Sequence, residues 1–187
     1  MRNPIDTEDQ RKTELRGLEL AAHPALVRAK AEVREWWLRA TDPSPDMRAC
    51  FEWAFEEVMF AAIVWSLNQD PLYPRVVTIT RLAHRLAGRD VPGTRWGLDN
   101  PDSVYRVIPI SGAERYVIRG RVPERRLAEN YFTLWDATMN TIDVLDGKKL
   151  VLDADRRFTI TVDGSPRTAV RTTCAPRPRR TSSTSAT

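Results

Sequence analysis

The hydrophobic period of this chain changes once, close to Gly88, and that change most restricts the folds open to it. Before it, apolar residues recur every three or four positions, as on one face of an α-helix. After it they alternate with polar residues, and turn-forming residues come at short intervals. A helical half followed by an antiparallel half predicts an α+β fold. The expected division is a helical region over 1–89, an incomplete β-rich domain over 90–166 and a disordered basic tail over 167–187.

About four helices are predicted. Thr7 with Gln10 three residues on is a capping-box pattern, and Leu15, Leu18 and Ala22 follow at helical spacing. His23 reads as a helix-start residue ahead of Pro24, which suits the first position of a second helix. Leu26, Ala29, Val33, Trp36, Trp37 and Ala40 mark one face of it. Ser44-Pro45 opens the strongest helix, in which apolar residues recur from Met47 to Trp65 until Asn68-Gln69-Asp70-Pro71 ends it. Pro74 opens the fourth, with Val76, Val77, Ile79, Ala83 and Leu86 on one side and Gly88 as its C-terminal cap. Trp36, Trp37, Trp53 and Trp65 fall on apolar stripes and are expected in the core or at an interface between the helical half and the sheet.

Beyond Gly88 the spacing predicts a hairpin of Val104–Ile110 with Arg115–Arg119 around Ser111-Gly112. Asn130–Trp135 is a further strand and Asp146-Gly147 a turn. Leu150–Leu152 and Phe158–Val162 flank Asp153–Arg157 as a second hairpin, with Phe158, Ile160 and Val162 facing inward.

Charge argues against a nucleic-acid partner. The net charge of +4 comes from Arg167–Thr187, which holds five arginines and no acid; the remainder has 24 basic against 25 acidic residues. A nucleic-acid face needs basic residues clustered on folded structure. Val58–Trp65, the longest apolar run, is far short of the ~20 residues that span a bilayer. Met1–Gln10 is polar and lacks a secretory pattern, so the cytoplasm is the expected location. Cys50 and Cys174 make neither a disulfide framework nor a metal-ligand spacing. The tail is Arg, Pro, Ser and Thr with little to bury, which predicts disorder. It also admits an out-of-frame reading: codons permitted for Arg167–Thr187, read two nucleotides on, encode a turn and then an apolar run.

The stretch from Arg95 to Arg106 is chemically the densest. It sets Trp96, Gly97, Asp99, Asn100, Pro101 and Asp102 ahead of Tyr105 and Arg106. This segment resembles the family called domain of unknown function 1214. The matching residues are Asp90-Val91-Pro92-Gly93, Gly97-Leu98-Asp99-Asn100-Pro101-Asp102 with Tyr105-Arg106, Arg115-Tyr116 with Ile118-Arg119-Gly120-Arg121, and Leu150 through Val162. The resemblance covers roughly Asn68–Gly164 and implies a β-rich, sandwich-like domain behind a helical region. It implies no catalytic residue, and no cofactor is expected. Members of that family run past this chain's last residue, so the β-domain is expected to be incomplete. A core left open in that way favours self-association.

Two chemical readings follow. In the first, Trp96, Asp99, Asn100, Asp102, Tyr105 and Arg106 form the polar corner of a small-ligand pocket between helices and sheet. In the alternative, a hydrolase- or isomerase-type enzyme uses Asp99 or Asp102 with Tyr105 and Arg106. Against both stands a plain turn, in which Asp and Asn side chains bond backbone amides two residues on and secure the start of a strand. No metal set is expected, because oxygen-ligand sites need more donors than this corner offers. His84, between Arg81 and Arg85, reads as a partly exposed or helix-packing residue, and neither histidine has a ligand partner at metal spacing. No nucleophile elbow and no phosphate-cradling glycine loop is present. Arg106, Arg115, Arg119 and Arg121, with Glu114, Glu124 and Glu129 nearby, read as a charge-balanced solvated face.

Overall fold

The computed structural model of the chain describes residues 5–97, 100, 102–125, 127, 129–164 and 170–173. They form two compact units, Met1–Ile110 and Ser111–Thr187. Three helices and small antiparallel sheets make the fold α+β.

In the first unit α1 (Glu8–Ala21), α2 (Pro24–Thr41) and α3 (Pro45–Ser66) begin where their capping residues predict. Thr7 Oγ1 accepts from the Gln10 N–H at 3.1 Å, His23 Nδ1 from Ala25 at 3.3 Å and Ser44 Oγ from Met47 at 3.3 Å. These bonds satisfy amides that a helix start leaves without partners. Arg34 on α2 grips Glu52 on α3, and Lys30 grips Glu56. The Arg34 guanidinium holds the Glu52 carboxyl below the usual carboxylate range. Trp37 stands edge-on to Phe51 and Phe55, with centroids 6.4 and 5.9 Å away. Trp36 and Trp53 are corrections to the expected core: they are 62% and 53% exposed.

Phe60 and Val64 of α3 bury against Val77 and Val91, with Leu18 and Leu86 packed around them. Gly17 lets α1 approach α3 closely, since a β-carbon there would stand 3.2 Å from the Phe60 ring.

The fourth helix does not form. Its residues make β1 (Val77–Thr78) and β2 (His84–Leu86), followed by β3 (Arg89–Val91) and later β4 (Arg106–Val107). The reason is local: Val76-Val77-Thr78-Ile79-Thr80 is an unbroken β-branched run, stiff at χ1 and suited to extended backbone. Gly88 caps no helix. With Ala87 it makes the two-residue turn between β2 and β3, at φ of 77° and 49°. Positive φ at both central positions marks a type I′ hairpin turn. The same register continues to a bridge between Arg81 and Thr94.

β4 pairs with β1, Val77 opposite Val107 and Thr78 opposite Arg106. The expected hairpin of Val104–Ile110 with Arg115–Arg119 is therefore not made. Because the strand partner of β4 lies in the first unit, the units divide at Ile110 and Ser111, beyond the change of period at residue 89.

The second unit holds β5 (Tyr116–Arg121), β6 (Tyr131–Trp135), β7 (Thr141–Asp146), a 3-10 turn at Gly147–Lys149, β8 (Arg157–Val162) and β9 (Val170–Thr173). β5, β8 and β9 form one antiparallel sheet in that order, and β6 and β7 form a ribbon. Phe158, Ile160 and Val162 are buried, as their alternation predicts. β8 pairs with β5 and β9, however, and Leu150–Leu152 is not a strand. Within the tail, Val170–Thr173 pairs with β8, its β-branched residues suiting extended backbone. The other residues of 167–187 lie outside the described set.

Candidate functional site

The Arg95–Arg106 segment is strapped across α3 by its first two side chains. Arg95 Nε lies 2.6 Å from Glu57 Oε2, and its guanidinium sits 4.5 Å from the centre of the Trp53 ring. Next to it, Trp96 stacks on Trp65 with centroids 4.4 Å apart and planes 17° from parallel. Trp53, Glu57 and Trp65 are spaced along α3 so that each meets the strap in turn. Trp96 keeps 45% of its surface exposed.

After the strap the chain makes a tight turn. Asn100 Oδ1 accepts from the Asp102 N–H at 3.0 Å, and Asn100 O accepts from the Ser103 N–H at 3.1 Å. The backbone N–H of Asn100 donates to the Tyr105 hydroxyl at 3.4 Å. Tyr105 O accepts from Ile79 N at 3.3 Å, which leads into the β4–β1 pairing. Asn100, Asp102 and Tyr105 are thus brought together as a turn that starts a strand. Trp96 belongs to a different contact, on α3. Arg106 lies on β4 with its surface exposed, opposite Thr78. Asp99 lies outside the described residues.

A depression lined by Val64, Trp65, Asn68, Val77, Ile79 and Val107 is too tight to admit a water molecule. Asn68 spends its amide on backbone: Nδ2 donates to Arg75 O at 3.0 Å and Val107 O at 3.3 Å, and Oδ1 accepts from Arg75 N at 3.2 Å. No group of three or more His, Cys, Asp or Glu side chains that could hold a metal ion occurs among the described residues. No helix there is long and apolar enough to cross a membrane.

A second constellation escaped the sequence reading. Gln10, Thr13, Glu14 and Gly17 are the buried residues of α1, so the face it turns inward is mostly polar. The Glu14 side chain is 3% exposed, and its Oε1 lies 2.5 Å from Arg81 Nη1 and 3.0 Å from Gln10 Nε2. Its Oε2 lies 3.2 Å from His84 Nε2, while His84 Nδ1 lies 3.0 Å from Leu82 O. His84 therefore lies on β2 rather than on a fourth helix, partly exposed and clasped to α1. The signal was present: Gln10, Thr13, Glu14 and Gly17 recur with the helical period, but in polar residues and glycine. Chemically the cluster is closed. Both Glu14 oxygens face internal partners, which makes it a clasp between α1 and β2 rather than an open acid–base pair.

In the second unit Asp136 organises the β6–β7 loop. Its carboxylate accepts from the Asn140 side-chain amide at 3.0 Å and backbone N–H at 2.9 Å, and from the Thr138 hydroxyl and backbone N–H, each at 2.8 Å. These donors, with the Asn140 amide foremost, hold its pKa down at about 2. Comparison with family models, curated proteins and solved structures found no match to this chain.

Proposed function

We propose that the protein is a small-ligand-binding member of the family it resembles, domain of unknown function 1214, and that flat apolar ligands lie against Trp96. The observation that carries this reading is the half-exposed indole of Trp96, held rigid by its stack on Trp65 and by the neighbouring Arg95–Glu57 pair. An aromatic surface fixed in advance binds without the cost of ordering it. The enzyme reading has less support. The Asp102 residue is exposed at a turn, and the Tyr105 hydroxyl already accepts from Asn100.

The test is a fluorescence titration with planar probes, indole and an anilinonaphthalene sulfonate among them. Saturable quenching that Trp96→Ala abolishes and Trp135→Ala leaves intact supports the reading. Quenching that never saturates, or that survives Trp96→Ala, ends it.

A further inference from the structure

The outer edge of β6 carries a pairing pattern that fits a second copy of itself. Gly147 N donates to Asn130 O at 2.8 Å, just before β6, and Asp136 N donates to Asn140 O at 3.0 Å, just after it. Hydrogen-bonded and non-hydrogen-bonded pairs alternate along an antiparallel ladder. Carried inward from both ends, through the irregularity at Leu134 and Trp135, that alternation directs the backbone groups of Phe132 and Leu134 to β7. Tyr131, Thr133 and Trp135 direct theirs away from it. β7 is the one strand paired with β6 among the described residues. All of Tyr131–Trp135 is without charge or proline, the features that usually protect a free edge.

We infer that two chains associate through β6, antiparallel about a two-fold axis at Thr133. That register sets Thr133 opposite its counterpart and Tyr131 opposite the other copy's Trp135. Each of these pairs falls where both chains point N–H and C=O outward, so each exchanges two backbone hydrogen bonds. Opposed residues share a face of a sheet, so Tyr131 and Trp135 meet as aromatic cross-strand pairs. They are 53% and 43% exposed in the single chain, and Val144 beside them is 50% exposed. No like charges are brought together along the seam. The two-fold closes the assembly at two copies, because each chain spends its one β6 edge. A five-residue seam lies at the small end of specific interfaces, so the dimer is weak and reversible.

Sedimentation velocity from low-micromolar to near-millimolar protein tests this. The full chain should pass from monomer to dimer, and Thr133→Pro should weaken the dimer at least about tenfold. The proline removes an N–H that faces outward, so the β6–β7 pairing keeps its bonds. Thr133→Lys and Thr133→Glu provide a second arm that keeps the N–H. Each alone should stay monomeric through like charge at the axis, and their equimolar mixture should dimerise. A chain monomeric throughout overturns the inference. So does a dimer that Thr133→Lys leaves intact, or one that Trp36→Glu on the exposed face of α2 abolishes.

Discussion

The side-chain amide of Gln10 pairs with the backbone of Thr78 as a neighbouring strand would. Its Nε2 donates to Thr78 O at 3.1 Å, and its Oε1 accepts from Thr78 N at 2.7 Å. Both residues are buried, Gln10 at 1% exposure and Thr78 at 2%. One helical side chain thus replaces a strand on the open side of β1 and fixes α1 to it. It also explains why the capping box of α1 is half made. Thr7 caps the Gln10 amide, but the Gln10 side chain goes to β1 instead of back to Thr7. Gln10→Ala leaves a buried N–H and C=O without partners, so it should cost about 2–4 kcal/mol. Urea unfolding measures this, and a loss below about 0.5 kcal/mol would contradict the pairing.

Ala87 occupies left-handed backbone at φ 49°, where a β-carbon crowds the chain. Asn-Gly is the preferred pair for a type I′ turn. Ala87→Asn should therefore stabilise the protein by about 0.5–1 kcal/mol, read as a higher melting temperature. An unchanged or lower value would show that the β2–β3 turn is not of this type.

Gly120 of β5 lies opposite Phe158 of β8, and a β-carbon at Gly120 would overlap the Phe158 ring. Phe158 is buried and meets Phe132 edge-on at 5.8 Å, so it has little freedom to move aside. Gly120→Val should cost about 1–3 kcal/mol despite valine's preference for strands. If it stabilised the chain, the β5–β8 register would be wrong.

The Asp136 carboxyl titrates at about 2, below its ordinary 3.8. A depressed folded pKa means that the ionised form favours the folded loop. That contribution is full above the unfolded value and is lost as pH falls from there through about 2. Carboxyl-carbon NMR should show this midpoint, and Asn140→Ala should raise it by removing the foremost donor. A midpoint in the normal aspartate range in the unaltered chain would mean that the loop network does not form.

Local rules read the helices well because their signals are local. Thr7, His23 and Ser44 lie next to the amides they cap, and proline follows two of them directly. The same holds for Phe158, Ile160 and Val162, whose alternation alone says which side is buried. Pro74–Leu86 failed because its apolar spacing also fits a helix, while its β-branched run favours strand; packing against Phe60 and Val64 goes with the second. Of the proposed site, the Asn100 turn was legible, since an Asx side chain and its amide are two residues apart. The Trp96–Trp65 stack joins residues far apart in the chain, and no periodicity announces it.

By itself the sequence determined where α1, α2 and α3 start, which alternate residues of β8 turn inward, and that the body of the chain is nearly charge-neutral. Each of those rests on neighbours within a few positions or on composition. Tertiary structure decided which strands pair, that Glu14 closes on Arg81 and His84, and that Gln10 completes the side of β1. Those contacts span up to 70 residues, and their strength comes from burial that only the assembled layers create.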